Sequence, residues 1–261
     1  RNAGITLLLG IGYSFGGTAL IVPPLLRRIY GRAAVSTGTF EPASRDHAAR
    51  VERHYRNMEP YPRLFARYKM KFDPMFSELH LMLDSPKTIV DIGTGYGVPA
   101  VWLAELFPDA RLFGIEPDEK RRRAAAWALG DRGTVESGKA PDLPDFPGSA
   151  DAVIAIDMIH YLSDGDFALL LGRAREKMSP GGILVIRGTI PAGKQTLLRM
   201  IEMLWIRMKG LPMHYRTAEE VVRIMEGQGF TVTVGDSTNK RREEKWFLGK
   251  PAKKPGRKTR R

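Results

Sequence analysis

Residues 88–97 constrain the fold of this chain more than any other segment. Thr88-Ile89-Val90-Asp91-Ile92 is a short apolar, β-branched run that leads straight into Gly93-Thr94-Gly95-Tyr96-Gly97. Such a run, bounded by turn residues, predicts a buried strand. The glycines permit a sharp turn and let backbone N–H groups approach a ligand. Residues 98–107, closed by Pro108, read as the next helix. A strand, a glycine turn and a helix in that order form a nucleotide-like site at the carboxyl end of a strand. The spacing is G-x-G-x-G, because position 98 is valine, which argues against the usual nicotinamide fingerprint.

The alternation continues downstream. Arg111–Ile115 reads as a strand ending in Glu116, residues 117–129 as a helix, and Ala150–Ile156 as a strand ending in Asp157. Residues 166–178 read as a helix, Ser179-Pro180-Gly181-Gly182 as a turn, 183–187 as a strand and 218–228 as another helix. Residues 230–234 and 246–248 are short strands with no helix between them, which fits an antiparallel hairpin at one sheet edge. The pattern predicts an α/β, Rossmann-like fold with a mostly parallel sheet covered on both faces. Before it, residues 33–43 read as a linker, and 44–83 have helical periodicity interrupted by Pro60 and Pro62. Glu116 lies twenty-five residues after Asp91. A carboxylate there can accept hydrogen bonds from both hydroxyls of a ribose, and its charge repels a 2′-phosphate.

Composition decides how the two ends are read. The net charge of +12 first suggests a nucleic-acid partner. Seven of those charges lie in residues 250–261 and four more at Arg1, Arg27, Arg28 and Arg32, which leaves one for the rest of the chain. The middle is nearly neutral, so nucleic acid is not the expected partner. The tail over 250–261, with almost no apolar content, reads as disordered. No charge falls between Asn2 and Leu26. As a helix, the twenty residues from Ala3 to Val22 span roughly 30 Å, the hydrocarbon thickness of a bilayer. Gly12 and Gly16 give it a small-xxx-small face for another helix, and the arginines after it place the remainder of the chain in the cytoplasm. A single transmembrane helix with its basic flank is therefore expected over residues 1–32, contacting the membrane through residues 3–26. The first residue is Arg rather than Met, and the glycine face has no packing partner in this chain. We expect the C-terminal part of a larger membrane protein, with other transmembrane helices as partners. The run Leu20-Ile21-Val22-Pro23-Pro24-Leu25-Leu26 with its basic follow-on resembles the last transmembrane helix of RND/MMPL-type exporters. Cysteine is absent, which excludes disulfides, cysteine-ligated metals and a cysteine nucleophile.

Asp91-Ile92-Gly93-Thr94-Gly95-Tyr96-Gly97 resembles motif I of the class I S-adenosylmethionine-dependent methyltransferases. Further matches occur in order: Glu116; Ala140-Pro141-Asp142-Leu143-Pro144; Ala150 to Tyr161 with its Asp157-Met158-Ile159-His160-Tyr161 end; Ser179 to Gly182; and His214-Tyr215-Arg216-Thr217 before a helix and Gly229-Phe230. The resemblance covers roughly residues 85–250. It implies a seven-stranded sheet with the last strand inserted antiparallel, and S-adenosylmethionine as cofactor. It also implies that Gly93, Thr94, Gly95 and Gly97 line the methionine part and that Asp91 orders their loop. Glu116, with Pro117 behind it, would hold the ribose and Ala140 would flank the adenine, with Asp157 and Met158 completing the set. Many relatives carry Asp or Asn where this chain has Lys139, which cannot accept from the adenine amino group; Asp142 or the backbone must do so instead.

Methyl transfer from a sulfonium is an in-line displacement that depends mainly on alignment and exclusion of water. A hydroxyl acceptor also needs a base. His160 is the candidate catalytic residue and His214 a second; His47, His54 and His80 lie on helical segments and read as surface residues. Asp157 is not followed by Pro-Pro-Tyr, which argues against adenine or glutamine N-methylation. No convergent set of carboxylates suggests a metal. Residues 45–83 and an all-round apolar helix over 195–213 are the expected sources of acceptor choice. The expectation is a helical cap with its linker over 33–83, a methyltransferase domain over 84–249, and an apolar small-molecule, lipid-like or polyketide-like acceptor. Two alternatives stand beside it: an RNA or protein methyltransferase recruited by the tail, and a non-catalytic module that regulates an attached transporter.

Overall fold

The structure, a computed structural model, describes residues 40–145, 149–190, 213–237 and 244–252. The chain divides into two compact units, Arg1–Phe40 and Glu41–Arg261, and every strand and helix named below belongs to the second. The expected membrane segment over 3–26, all of the expected apolar helix over 195–213 except Met213, and residues 253–261 of the expected tail over 250–261 lie outside the described residues. Among the described residues no helix is long and apolar enough to cross a membrane.

The strands are β1 (Thr88–Ile92), β2 (Arg111–Ile115), β3 (Gly133–Glu136), β4 (Ala150–Ile156), β5 (Met178–Thr189), β6 (Phe230–Asp236) and β7 (Glu244–Pro251). They form one seven-stranded sheet in the order β3-β2-β1-β4-β5-β7-β6. Neighbours from β3 to β5 are parallel, and β7 is inserted antiparallel to both β5 and β6. The chain reverses its direction of winding between β1 and β4, so a crevice opens at the carboxyl ends of those two strands.

The helices are α1 (Arg45–His54), α2 (Pro60–Phe72), α3 (Met75–Glu78), α4 (Val98–Leu106), α5 (Glu119–Leu129), α6 (Asp164–Lys177) and α7 (Ala218–Gly227). Strand side chains alternate between two apolar layers. Ile89, Leu112, Ala152, Ile154 and Val185 pack with α1, α4 and α5, including Val51, Tyr55, Trp102 and Leu129. Val90, Ile92, Val153, Ala155 and Ile186 pack with α6 and α7, including Phe167, Leu170, Val221 and Met225. Burial on both faces is why these strands read as continuous apolar runs. Each fully buried Leu, Ile or Phe contributes about 1.5–3 kcal/mol relative to exposure.

Four elements differ from the sequence reading. Pro60 and Pro62 start α2 rather than interrupt a helix, because the first turn needs no backbone donor there. Ser179–Gly182 is not a free turn but part of β5, opposite a register shift at Ala150/Ala152. β3 has only Val135 buried, too little apolar signal to stand out in sequence. β7 continues to Pro251, into the stretch read as tail.

The segment before β1 is stitched to the sheet by polar contacts. His47 of α1 is fully buried, not a surface residue: its Nε2 lies 2.9 Å from Trp102 O and its Nδ1 accepts from Ala43 N. Burial lowers its pKa to about 4. His54 lies 2.6 Å from Glu105 Oε1 and 2.8 Å from Ala128 O. Glu78 of α3 accepts from Trp246 Nε1 and from Ser237 Oγ.

Candidate functional site

The loop after β1 is built by backbone bonds to β2. Gly93 N and Thr94 N both donate to Ile115 O, at 2.8 and 3.1 Å, and Gly97 N closes the turn on Thr94 O. Gly97 has φ +81°, and a Cβ on it would lie 2.9 Å from the Ala125 Cβ, so loop and α5 meet where only glycine fits. Gly93, at φ +75°, faces the Met158 side chain at ordinary contact distance, which brings the end of β4 against the loop.

Two carboxylates set the loop's electrostatics. Thr94 Oγ1 donates to Asp91 Oδ2 at 2.6 Å, a side-chain bond from the loop to β1. Burial pushes the Asp91 carboxyl up to about 7, opposed by the Thr94 bond and reinforced by the charge of Glu116. Glu116 is buried at the end of β2. Its Oε2 accepts from Gly95 N at 2.9 Å and its Oε1 from Asp118 N at 3.0 Å. A carboxylate has about four acceptor sites. Each oxygen therefore keeps one for a diol, and the residues present fit the ribose of S-adenosylmethionine. Pro117 links this carboxylate to Asp118, the N-cap of α5.

The adenine side is more committed. Ala140 is buried after β3. Asp142, the expected substitute acceptor, is ion-paired with Arg173, whose guanidinium also donates to Pro141 O. Lys139 O is occupied by Asp142 N.

At the end of β4, Asp157 adopts φ +53°, uncommon for a residue with a side chain. One oxygen of its carboxylate is part of a charged cluster, and the other, Oδ1, is buried with no hydrogen-bond partner. Asp157 Oδ2 meets Arg187 Nη1 at 2.9 Å and Lys69 Nζ at 3.2 Å. Arg187, fully buried in β5, also pairs with Asp73 at 2.8 Å and Glu244 at 2.9 Å, and Lys69 pairs with Asp73 at 2.9 Å. Burial opposes the charge of Asp73, yet Lys69 and Arg187 outweigh it and hold that carboxyl below the ordinary range. His160, three residues beyond Asp157, has a buried Nδ1 with no hydrogen-bond partner. Burial lowers its pKa, Asp157 pulls the other way, and Arg216 adds to the lowering. Its ring stands 4.1 Å from that of Tyr161 and 6.2 Å from that of Tyr215. His214 joins the region through its backbone, its N donating to His160 O at 2.7 Å. Arg216 fixes the turn, donating to Ile159 O, Leu162 O and Asp164.

The cap, expected as a source of acceptor choice, reaches the glycine loop through three aromatic residues. Tyr55 OH donates to Tyr96 O at 2.9 Å, and the rings of Tyr61 and Phe65 lie 5.6 and 5.0 Å from that of Tyr96. Lys69 and Asp73, inside the segment assigned to acceptor choice, were not singled out, and Arg187 was missed. The one available signal was Arg187 itself, an arginine inside an apolar strand.

A profile described as a methyltransferase domain matches residues 53–234. The trans-aconitate 2-methyltransferase of Methylobacterium radiotolerans is 28% identical over 135 residues, 48% of this chain and 48% of that protein, so the chain spans about half its length. The ribosomal RNA small subunit methyltransferase G of Frankia casuarinae is 28% identical over 214 residues, 79% of this chain and 73% of that one. Among solved structures, human N-acetylserotonin methyltransferase in complex with SAM superposes with a TM-score of 0.56 at 16% identity, over 80% of this chain and 66% of that one.

Proposed function

The chain belongs to the methyltransferase domain family of S-adenosylmethionine-dependent enzymes, and from that premise we propose that it methylates an apolar small-molecule or lipid-like acceptor at the carboxyl end of β4. One observation carries the acceptor class. Among the described residues at that end, the charged side chains of Lys69, Asp73, Asp157, Arg187 and Glu244 pair with one another in a single cluster. Aromatic rings and one imidazole held toward its neutral form remain to meet an acceptor. The domain is tethered to a membrane through residues 3–26, where an apolar acceptor would be met, as the uncharged run supports.

S-adenosylmethionine supplies a methyl group on a sulfonium, whose leaving group needs no activation. The protein's part is to hold, align and keep out water. The internally bonded backbone of the Gly93–Gly97 turn and the Thr94–Asp91 bond would shape the methionine end, Glu116 would take the ribose diol, Ala140 would flank the base and Met158 would wall the methyl side. His160 takes the proton from a hydroxyl acceptor, and the nearby Asp157 charge favours the imidazolium that forms.

Calorimetry tests the cofactor half. Glu116→Ala is expected to weaken S-adenosylmethionine binding at least about tenfold, because charge-assisted hydrogen bonds are lost; unchanged affinity overturns the assignment. His160→Gln is expected to retain cofactor affinity, lower kcat about a hundredfold and flatten the acidic limb of the kcat profile. A full kcat in that variant removes His160 from the chemistry. The RNA-methyltransferase reading is favoured by the basic tail, and deletion of that tail tests it.

A further inference from the structure

Helix α2 carries its apolar residues on two sides. Ala66 is buried and Met70 packs against the core, as a cap helix requires. Tyr61, Leu64, Tyr68 and Phe72, spaced three and four apart, form a second stripe that faces out. Tyr61 is 64% exposed, Tyr68 51% and Phe72 58%, and Leu81 beyond the helix reaches 75%. A stripe of large exposed apolar groups on one helix marks a contact surface rather than scattered surface residues.

Charge says what kind of surface meets it. No acidic residue occurs in residues 60–72, which contain Arg63, Arg67, Lys69 and Lys71. Lys69 turns inward to Asp73 and Asp157, whereas Lys71 and Arg67, the latter paired with Glu52 at 3.1 Å, are exposed along one edge of the stripe, and Lys71 Nζ sits 5.2 Å from the Phe72 ring centre. An open cavity of about 390 Å³ adjoins the end of the stripe. Phe72, Met70, Phe76 and Trp102 line it, together with the cations of Arg45 and Lys71 and with Asp73, which is paired with Lys69 and Arg187. Tyrosines and phenylalanines bordered by basic groups match the headgroup boundary of a bilayer, with apolar rings sinking in and cations on anionic headgroups.

We propose that this face of α2 lies on an anionic membrane surface. The helix runs from Tyr96 in the glycine loop, through Tyr61 and Phe65, to Asp157, through Lys69. Docked this way, it brings the mouth between β1 and β4 against the bilayer. The docking stands on the described residues alone, whereas its use in delivering an acceptor rests on the proposed function.

The absence of cysteine makes the test direct, because a single introduced thiol can be labelled in the full chain. Tyr68→Cys and Phe72→Cys would carry an environment-sensitive fluorophore, with Trp127→Cys and Leu169→Cys as exposed controls elsewhere on the domain. The protein is mixed with vesicles of phosphatidylcholine, or of an equimolar mixture with phosphatidylglycerol, and sedimentation reports binding. The labels at 68 and 72 are expected to shift to the blue and to be quenched by brominated acyl chains on anionic vesicles, while the controls stay in water. Adding Lys71→Glu is expected to weaken that contact about tenfold. Sedimented protein whose labels at 68 and 72 remain in water overturns the proposal, as does failure to sediment with anionic vesicles. Labels already shielded before vesicles are added mean that the chain covers its own face, and equal shifts on neutral vesicles remove the role of charge; either result also overturns it. The readout needs neither cofactor nor turnover, so failure of the methyl-transfer reading leaves it intact.

Discussion

Gly97 and Gly95 sit two residues apart, and both have positive φ, yet they answer to different constraints. Gly97 faces Ala125 so closely that a methyl group cannot be added without moving α5. Gly97→Ala is expected to lower stability by at least about 2 kcal/mol, from overpacking added to left-handed strain. At Gly95 a Cβ meets nothing nearer than Gly93 O at 4.0 Å. Gly95→Ala should therefore cost only about 1 kcal/mol of folding stability, its main effect falling on cofactor affinity. Urea denaturation separates the two. His47 gives a residue-scale pH signature. Its pKa is about 4 in the fold against an ordinary 6.5. Between those values the unfolded chain binds a proton that the native state refuses, so stability falls as pH drops from 6.5 toward 4. His47→Gln should remove that part of the slope, measured as urea midpoints at about pH 7 and about pH 5. His47 reads as a surface residue in sequence, although the buried Val51 and Tyr55 follow it at four-residue spacing along α1 and its C-cap. Its polarity concealed its burial, because a buried histidine needs partners, and Trp102 O lies fifty-five residues away.

Among the elements, α2 and β5 depend on one another through charge. Arg187 compensates Asp73, Asp157 and Glu244 at once, from a fully buried position. Arg187→Met should leave those carboxylates without their shared cation and cost about 3–5 kcal/mol. Lys69→Met should cost far less, because Arg187 still serves both of the partners that Lys69 loses. A thermal or denaturant melt of the two variants checks the difference. This cluster explains why part of the site was not legible in the sequence. Motif I and Glu116 are local in sequence and carry their own spacing, so their geometry could be read directly. Asp73 and Arg187 are 114 positions apart, and only the packing of α2 across the strand ends joins them. Asp157 was read as facing the cofactor, and it is the same cluster that draws its carboxylate to Arg187. The alternation of strands and helices was legible because both faces of the sheet are buried; β3 escaped because it contributes a single buried side chain.

For the whole molecule, the excess positive charge is concentrated outside the sheet and its helices. Because β7 continues to Pro251, a deletion that spares the sheet begins at residue 253. Removing residues 253–261 is expected to leave turnover on a small apolar acceptor unchanged. A loss of activity accompanied by loss of salt-dependent RNA affinity would instead favour the RNA-methyltransferase reading.

β7 also governs the order in which the sheet can be assembled during synthesis. β6 pairs only with β7, and β7 supplies Glu244 to Arg187. While residues 1–237 emerge from the ribosome, β6 has no neighbour to join and the edge of β5 stays open. The sheet can close only when residues 244–251 have been synthesised, so its assembly is timed by its last strand rather than its first.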